Sequence, residues 1–375
     1  MHNQALESRR LFAAAVSQGL LTVTGTESAD QITVALGNGV VDVNVNGVIQ
    51  SFPGVKKMRV FGLGGDDTIE ISRSITRHAS IDAGAGNDAV LGGGGSDTIA
   101  GGAGDDWIYG NTGDDVLRGG DDNDTIRGNA GIDAVLGENG NDLLLGDDRS
   151  VVVPDVTPKA DYLDGGGGND TVDFSLANAE GGSINITSVV SEGASNYSDI
   201  TSAFIDYSNS GTDGRAANFE TFVGFRRHNT FWINVGASGD SAKTQVRKSL
   251  VVQGSQTDGA TFTYFRGGAS PTNRTAALDV TLLGGNGGDQ FAFDGENDIV
   301  PQAVIGGAGG DSVRISGGVT TADLAGIDLG DGIDRIDVNG ELLSNYTMPA
   351  WLENFAAQAA PSSVTVTGNA LDNLS

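Results

Sequence analysis

The sequence of 375 residues contains no cysteine, and glutamate is scarce. The missing cysteine excludes a disulfide framework and any thiolate metal site. Only ten of the 49 acidic residues are glutamate, which leaves 39 aspartates, and 59 residues are glycine. A helical protein would favour glutamate and avoid glycine, because glycine costs about 1 kcal/mol at each helix position. This composition therefore excludes a predominantly helical fold.

Basic residues and long apolar runs are also lacking. Lysine and arginine number 21 against 49 acidic residues, which gives a net charge of −28. A nucleic-acid-binding protein needs a basic face to neutralise phosphates, so we expect no nucleic-acid partner. The sequence has no apolar stretch of about 18 residues, so we expect no transmembrane helix. An acidic, glycine-rich chain can also be disordered. The periodicity of the sequence has to decide between a folded and a disordered chain.

The N-terminus has features of an export leader. Two arginines in Ser8–Phe12 precede the apolar residues Ala13–Val16, a pattern that resembles a secretory or twin-arginine signal. The alternative is a disordered or partly helical terminus. We treat residues 1–19 as a leader or a disordered N-terminus.

A nine-residue repeat occupies the middle of the chain. Seven blocks follow one another without a gap from Ala83 to Leu145, and position 1 is glycine in six of them. Position 8 is aliphatic in every block: Val90, Ile99, Ile108, Leu117, Ile126, Val135 and Leu144. Position 6 is aspartate in every block: Asp88, Asp97, Asp106, Asp115, Asp124, Asp133 and Asp142.

Further blocks lie on both sides of this run. A split block resumes at Asp161 after an insert at 149–160, which we expect to loop out because it contains Pro154 and Pro158. The match continues in Gly165–Asp173, with Asp170 at position 6, and outlying blocks on both sides place Asp67, Asp289 and Asp311 at that position. Weaker echoes, with fewer glycines, place Asp30, Asp298, Asp334 and Asn229 there. The aspartates of the weaker echoes stay undecided as ligands, and Asn229 is interpreted as structural.

The blocks GGGGSDTIA (92–100) and GGAGDDWIY (101–109) resemble the nonapeptide of the RTX family of calcium-binding repeat proteins. The resemblance implies a parallel β-roll in which two nonapeptides form one coil, so that alternate blocks stack. Asp88, Asp106, Asp124 and Asp142 would then line one edge, and Asp97, Asp115 and Asp133 the other. Each calcium ion would lie between successive turns on one edge.

The residue types in the turn also suit calcium. Glycine at positions 1, 2 and 4 permits positive φ and close backbone approach, and aspartate at position 6 adds a short carboxylate. Hard oxygen ligands suit Ca²⁺. The alternative is a solvated acidic face on a metal-free β-helix. The predicted ligands of several Ca²⁺ ions are Asp67, Asp88, Asp97, Asp106, Asp115, Asp124, Asp133, Asp142, Asp161, Asp170, Asp289 and Asp311.

The energetics predict that calcium is required for folding. Carboxylates stacked about 4.8 Å apart repel each other by about 0.9 kcal/mol per neighbour even in water. Ordering nine backbone residues costs more than one buried aliphatic side chain per block returns, so hydrogen bonds and calcium must supply the balance. We therefore predict that residues 83–173 are disordered without Ca²⁺ and become β-rich when it is added.

The flanking regions are predicted to be β-rich. Residues 20–82 begin with strands at Leu20–Thr24, Gln31–Leu36 and Val40–Val45, and Asn46-Gly47 predicts a hairpin with Val48–Phe52. Residues 174–282 carry eight of the 14 phenylalanines and eight of the 21 basic residues. They form either an aromatic core with solvated charges or a surface for acidic glycans. Residues 283–375 form a degenerate repeat region that stops within a block, as in a fragment or a solenoid with an open end.

The sequence carries no catalytic motif: H-E-x-x-H, G-x-S-x-G and the phosphate-binding G-x-x-x-x-G-K-[ST] are all missing. We therefore expect an all-β, right-handed parallel β-roll or β-helix solenoid with a calcium-binding structural or adhesive role, not an enzyme. We expect it to be secreted or on the cell surface, with an extracellular glycan or another surface protein as the candidate partner. The alternative is a glycan-active β-helix enzyme of the lyase or epimerase type, or the accessory module of one.

Overall fold

A computed structural model describes the chain over most of its N-terminal half and over shorter stretches beyond. The described residues are 13–145, 161–167, 170–173, 182–190, 200–206, 214–217, 221–223, 229–237, 249–254, 260–267, 279–294, 303–316, 324–341, 345–347, 349–350, 352, 354–359 and 366–367. The chain divides into two compact units. The first comprises Met1–Val151 with Lys159–Asp170, and the second comprises Val152–Pro158 with Thr171–Ser375.

The first unit is built from sixteen short strands. They are β1 (Ala13–Ser17), β2 (Leu20–Thr24), β3 (Gln31–Gly37), β4 (Val40–Val45), β5 (Val48–Phe52), β6 (Lys57–Gly64), β7 (Thr68–Ile71), β8 (Ala79–Ala85), β9 (Ala89–Leu91), β10 (Thr98–Ala103), β11 (Trp107–Thr112), β12 (Val116–Asp121), β13 (Thr125–Ala130), β14 (Ala134–Asn139), β15 (Leu143–Leu145) and β16 (Asp161–Gly167).

These strands alternate between two sheets. One sheet has the order β1-β2-β6-β8-β10-β12-β14-β16. The other has the order β5-β4-β3-β7-β9-β11-β13-β15. In the first sheet, every strand pair from β6 onward is parallel. In the second sheet, every pair from β3–β7 onward is parallel. Two nonapeptides therefore make one coil, as the resemblance implies.

The register of the roll has a step of 18 residues. Ile99 pairs with Ile81 and with Leu117, and Ile108 pairs with Val90 and with Ile126. All seven position-8 side chains of the continuous repeat are fully buried. Successive strand residues point to opposite faces, so this one aliphatic position places a continuous apolar column inside the roll.

The N-terminal end departs from the parallel arrangement. Strand β1 pairs antiparallel with β2, and β3, β4 and β5 form an antiparallel meander. Gln18 and Gly19, and likewise Asn46 and Gly47, have positive φ, which is the backbone that a two-residue hairpin turn requires. The hairpin predicted at Asn46-Gly47 is confirmed. The β1–β2 hairpin was not predicted, and β1 lies within the segment expected to be a leader or disordered.

The second unit contains the remaining strands. They are β17 (Thr171–Asp173), β18 (Gly182–Val190), β19 (Ile200–Asp206), β20 (Gly214–Ala217), β21 (Thr221–Val223), β22 (Asn229–Ala237), β23 (Ser249–Gln253), β24 (Ala260–Gly267), β25 (Asp279–Leu283), β26 (Gln290–Asp294), β27 (Ala303–Ile305), β28 (Ser312–Ser316), β29 (Ile327–Asp328), β30 (Arg335–Glu341), β31 (Tyr346–Thr347), β32 (Asn354–Ala359) and β33 (Val366–Thr367).

Parallel pairing also dominates this unit. One sheet runs β18-β22-β24-β26-β28-β30-β32 and the other β17-β21-β23-β25-β27-β29. The short strands β31 and β33 pair in parallel with each other. Strand β19 departs from this, since it pairs antiparallel with both β18 and β20.

The described core of the second unit combines aliphatic side chains with several phenylalanines. Phe262 and Phe291 are buried, and their rings stack with centroids 4.7 Å apart. The remaining phenylalanine side chains of 174–282 lie outside the described side chains. Among the described residues, no helix is long and apolar enough to cross a membrane.

Candidate metal centre

The position-6 aspartates are buried and stacked. Every one of them with a described side chain is at most 5% exposed: Asp30, Asp67, Asp88, Asp97, Asp106, Asp115, Asp124, Asp133, Asp142, Asp170, Asp289, Asp311 and Asp334. Burying a carboxylate is costly unless it is hydrogen-bonded or paired with a cation. Their surroundings therefore decide what the turns can bind.

Successive aspartates on one edge are joined by hydrogen bonds. The amide N–H of each aspartate donates to the Oδ1 atom of the aspartate one coil further on, as in Asp106 to Asp124 at 2.9 Å and Asp97 to Asp115 at 2.7 Å. Three aspartate ladders result. Their members are Asp30, Asp67, Asp88, Asp106, Asp124, Asp142 and Asp170; Asp97, Asp115 and Asp133; and Asp289, Asp311 and Asp334.

The second carboxylate oxygen has a different environment. In seven ladder aspartates the Oδ2 atom is buried and accepts no hydrogen bond: Asp67, Asp88, Asp106, Asp115, Asp124, Asp142 and Asp311. A buried carboxylate oxygen without a donor costs several kcal/mol unless a proton or a cation neutralises it. The Oδ2 atoms therefore mark where a cation would be stabilised.

Glycine at position 1 provides the space that Oδ2 occupies. A Cβ atom at Gly119 would clash with Asp124 Oδ2 and would lie 2.7 Å from the carbonyl oxygen of Gly137 in the next coil. Gly119 has no positive φ, so of the two properties expected of these glycines, positive φ and close backbone approach, position 1 uses only the second. Steric room explains the glycine instead, and Ala83 is the one position-1 residue of the continuous repeat that carries a Cβ atom.

Positions 2 and 4 do adopt the left-handed backbone. Position 2 has positive φ in Gly84, Gly102 and Gly120, and also in the non-glycine residues Asn111, Asn129 and Glu138. Position 4 has positive φ in Gly86, Gly104, Gly113, Asp122, Gly131 and Gly140. The prediction of positive φ is thus confirmed for these two positions in most blocks.

The burial of the ladders raises the pKa of their carboxyl groups. Desolvation raises the pKa of Asp106 to about 7 and those of Asp115 and Asp124 to about 8. The same cause raises the pKa of Asp67 and of Asp311 to about 6. Neighbouring ladder carboxylates add to the effect, since Asp106 and Asp142 both raise the pKa of Asp124. Without a cation, the folded ladders favour the protonated acid.

The donor set suits a hard cation. Near Gly119, a carboxylate oxygen and a carbonyl oxygen from the next coil border the same space, and oxygen ligands of these two kinds are those that Ca²⁺ prefers. Among the described residues, no three His, Cys, Asp or Glu side chains converge as a metal cluster. An ion held here would therefore need backbone carbonyls beside the Oδ2 atoms.

An outer ladder, formed by position-5 side chains, stacks the turns on their solvent side. Position-5 side chains accept the amide N–H of the residue one coil further on, as in Asp105 from Asn123 at 2.8 Å and Asn123 from Asn141 at 2.9 Å. The direction of donation is opposite to that in the aspartate ladders, where the N–H of one aspartate donates to the side chain one coil further on. The outer ladder needs no metal, because its side chains are exposed to solvent, which hydrates the oxygens that the chain does not bond.

The structure brings together most of the predicted ligands. Asp161 directly precedes Tyr162, which pairs with Ala134, so its backbone continues the ladder of Asp133, but its side chain lies outside the described residues. Asp298 lies outside them as well, and Asn229 begins β22. Asp30 and Asp334 were left undecided, yet both belong to ladders. In the sequence, the aliphatic residue at position 8, Ile32 or Ile336, is the signal that marks their blocks as repeats.

The comparisons with known proteins agree with this geometry. The family model of the RTX calcium-binding nonapeptide repeat matches the chain in four copies, at residues 80–99, 91–126, 118–148 and 157–178. No curated protein matches the chain. The family match identifies residues 80–148 and 157–178 as RTX calcium-binding nonapeptide repeats, and the described strands within these ranges form a parallel β-roll.

Proposed function

We propose that this chain is an exported structural or adhesive protein whose β-roll folds when its aspartate ladders bind extracellular Ca²⁺. The observation that supports the proposal is the row of buried Oδ2 atoms without donors, which includes Asp106, Asp115 and Asp124. In the unfolded chain these carboxylates are hydrated and repel one another. In the folded chain a divalent cation offsets both the lost hydration and the repulsion.

The proposed ligands are the Oδ2 atoms of the ladder aspartates with backbone carbonyls of the neighbouring turns. Bound calcium supplies the positive charge that the buried carboxylates lack. The chain supplies the rest: position-8 side chains fix the register, position-1 glycines leave room for Oδ2, and the Oδ1 hydrogen bonds hold each carboxylate in place. Binding in successive turns is expected to be cooperative, because each Oδ1 hydrogen bond needs the next coil to be stacked.

The proposed location outside the cell follows from the affinity expected for such sites. Calcium sites of extracellular modules bind at about 10⁻⁴–10⁻³ M. Sites in this range would be empty in a compartment with little calcium and filled where calcium is millimolar. The change in concentration on export would then drive folding.

A calcium titration tests this proposal. The far-ultraviolet circular dichroism of the full chain is recorded in EGTA and then with increasing free Ca²⁺, with Mg²⁺ at the same concentrations as the control. We expect β signal to increase cooperatively with Ca²⁺ and much less with Mg²⁺, which prefers strict octahedral sites with retained waters. A β spectrum in EGTA identical to that in calcium would refute the proposal.

The proposal assigns no catalytic reaction to the chain. The competing function, cleavage of acidic polysaccharides, is tested by incubating the calcium-loaded chain with alginate or pectate. We expect no absorbance increase near 235 nm and no decrease in polymer mass. Either change, absent from a sample incubated without protein, would favour the enzyme.

A further inference from the structure

The first aspartate of each ladder differs from those that follow it. In Asp30, both carboxylate oxygens accept hydrogen bonds: Oδ2 from the amide N–H of Thr26 and Oδ1 from Asn46 Nδ2, each at 2.5 Å. The next aspartate of this ladder, Asp67, has a donor on Oδ1 but none on Oδ2. The first carboxylate is thus satisfied by the chain itself.

The same pattern occurs at the start of the second ladder. Asp97 accepts the amide N–H of Gly93 on Oδ2 at 2.8 Å and that of Ala79 on Oδ1 at 2.7 Å. Asp115, one coil further on, accepts only on Oδ1. Both aspartates are about 1% exposed, so solvent access does not explain the difference.

The third ladder, in the second unit, repeats the pattern independently. Asp289 accepts the amide N–H of Gly285 on Oδ2 at 2.8 Å and that of Ala260 on Oδ1 at 2.5 Å. Its successor Asp311 again has a buried Oδ2 atom without a donor. Three ladders therefore begin with a carboxylate that is hydrogen-bonded on both oxygens.

The cause is the backbone at position 2. In the three first blocks the Oδ2 donor is always the position-2 residue, namely Thr26, Gly93 or Gly285, and none of these has positive φ. In the blocks that follow, position 2 is left-handed. Gly102, for example, has φ of 127° and pairs with Gly84 and Gly120 within the sheet. With this backbone, position 2 gives no N–H to the ladder carboxylate, and the Oδ2 atom of Asp106 has no donor.

We infer that Asp30, Asp97 and Asp289 are metal-independent starting rungs, and that calcium is bound through Oδ2 only from the second aspartate of each ladder onward. This inference rests on the proposed role of the ladders in binding calcium. A position-2 N–H donates to the Oδ2 atom of the first carboxylate, the same atom that would bind calcium in the later aspartates of the ladder. The three residues act by positioning, since each offers its own N–H to the Oδ1 atom of the first calcium-binding aspartate.

A matched pair of substitutions in one ladder tests the inference. Asp97→Asn and Asp115→Asn make the same chemical change one coil apart, and the bound Ca²⁺ of each full-length chain is counted by native mass spectrometry and by equilibrium dialysis. We expect Asp115→Asn to lose at least one ion. We expect Asp97→Asn to keep the wild-type count but to melt at a lower temperature in saturating calcium, because the Asn amide cannot accept both N–H donors.

Each outcome decides a different claim. If Asp97→Asn loses as many ions as Asp115→Asn, the starting-rung inference is wrong while the ladders remain calcium sites. If neither variant loses an ion, the ladders are not the calcium sites, and both the inference and the proposed function fail.

A crystal structure of the calcium-loaded wild-type chain decides the matter even if a variant does not fold. We expect calcium at about 2.3–2.6 Å from the Oδ2 atom of Asp115 and no calcium bound to the Oδ2 atoms of Asp30, Asp97 and Asp289. A calcium ion coordinated by any of these three atoms would overturn the inference. Calcium bound elsewhere, with no ladder aspartate as a ligand, would refute the proposed function.

Discussion

Two neighbouring regions of equal length, residues 20–82 and 83–145, bury different kinds of side chain. The N-terminal region buries fifteen apolar side chains and two aspartates, Asp30 and Asp67. The nonapeptide region buries nine apolar side chains and seven aspartates. Both regions contain parallel strand pairs, but the N-terminal region also has the antiparallel strands β3, β4 and β5, and its parallel pairs do not follow the 18-residue step of the nonapeptides.

The difference shows how a roll can depend on a metal. Each of the six additional apolar side chains in the N-terminal region contributes about 1.5–3 kcal/mol. The nonapeptides have carboxylates in that place, and a buried carboxylate without a counter-charge opposes folding. We therefore expect the N-terminal region to be stable without calcium and the nonapeptide region to require it.

The largest expected effect comes from pH in the absence of calcium, because it acts on several carboxylates together. Desolvation raises the pKa of Asp106 to about 7 and those of Asp115 and Asp124 to about 8, from a usual value of 3.8. Protonated ladders stabilise the folded state. This stabilisation is complete below pH about 3.8 and is lost as the pH rises through about 8.

The metal-free chain should therefore have more β structure at pH 5 than at pH 8.5, as measured by circular dichroism in EGTA. Saturating calcium should largely remove this difference, because the cation replaces the protons. An equal β signal at both pH values in EGTA would argue against the buried ladders.

Removing one ladder carboxylate should have the next largest effect. Asp124→Asn keeps an acceptor at Oδ1 but replaces the anionic Oδ2. We expect the calcium midpoint of folding to rise at least about tenfold, since an interaction with a charged group is worth about 1.5–3 kcal/mol. Asp105→Asn is the matched control, because the exposed Asp105 uses only Oδ1 in the outer ladder. Equal midpoints for the two variants would contradict the distinction between inner and outer ladders.

Filling the space beside Oδ2 should destabilise the folded chain about as much as Asp124→Asn does, or slightly less. Gly119→Ala places a Cβ atom against Asp124 Oδ2 and Gly137 O, and overpacking of this kind costs about 1–3 kcal/mol. Gly39→Ala is the control: it has open space around its Cβ but a φ of 83°, so it reports backbone strain alone. Thermal melting in calcium compares them. If Gly119→Ala were neutral or stabilising, steric room would not explain the position-1 glycines.

The smallest effect is expected at Glu138, whose φ is 78°. Glu138→Gly should be more stable than Glu138→Ala by about 1 kcal/mol, because only glycine adopts this backbone without strain. Both variants lose the exposed ion pair with Arg118, in which the side chains are 39% and 47% exposed, and such a pair contributes little. Equal melting temperatures for the two variants would show that backbone strain at position 2 does not affect the stability of the chain.

Much of the roll could be predicted from the sequence, because its two determining positions are periodic. Aspartate at position 6 and an aliphatic residue at position 8 identify the nine-residue repeat, and the resemblance to the RTX family implies the two edges and the coil of two nonapeptides. The prediction that residues 174–282 are β-rich is confirmed by strands β18 to β25, most of which carry β-branched and aromatic residues.

Other features depend on contacts that the sequence does not display. Gly93 and Gly102 are both glycine at position 2, yet only Gly93 turns its N–H toward a ladder carboxylate. That difference follows from whether an earlier rung continues the sheet through position 2, which is a tertiary property. Close approach was expected at position 1, but the atoms that restrict it, Oδ2 and a carbonyl oxygen in the next coil, are visible only in the structure.

Hydrogen exchange of the full chain, followed by mass spectrometry, tests the central claim most directly. Peptides from residues 20–62 and 98–145 are compared in EGTA and in millimolar calcium. The account predicts that amides in 20–62 are protected under both conditions, whereas amides in 98–145 exchange rapidly in EGTA and become protected with calcium. Equal protection of 98–145 in EGTA and in calcium would contradict the claim that the nonapeptide region depends on the metal.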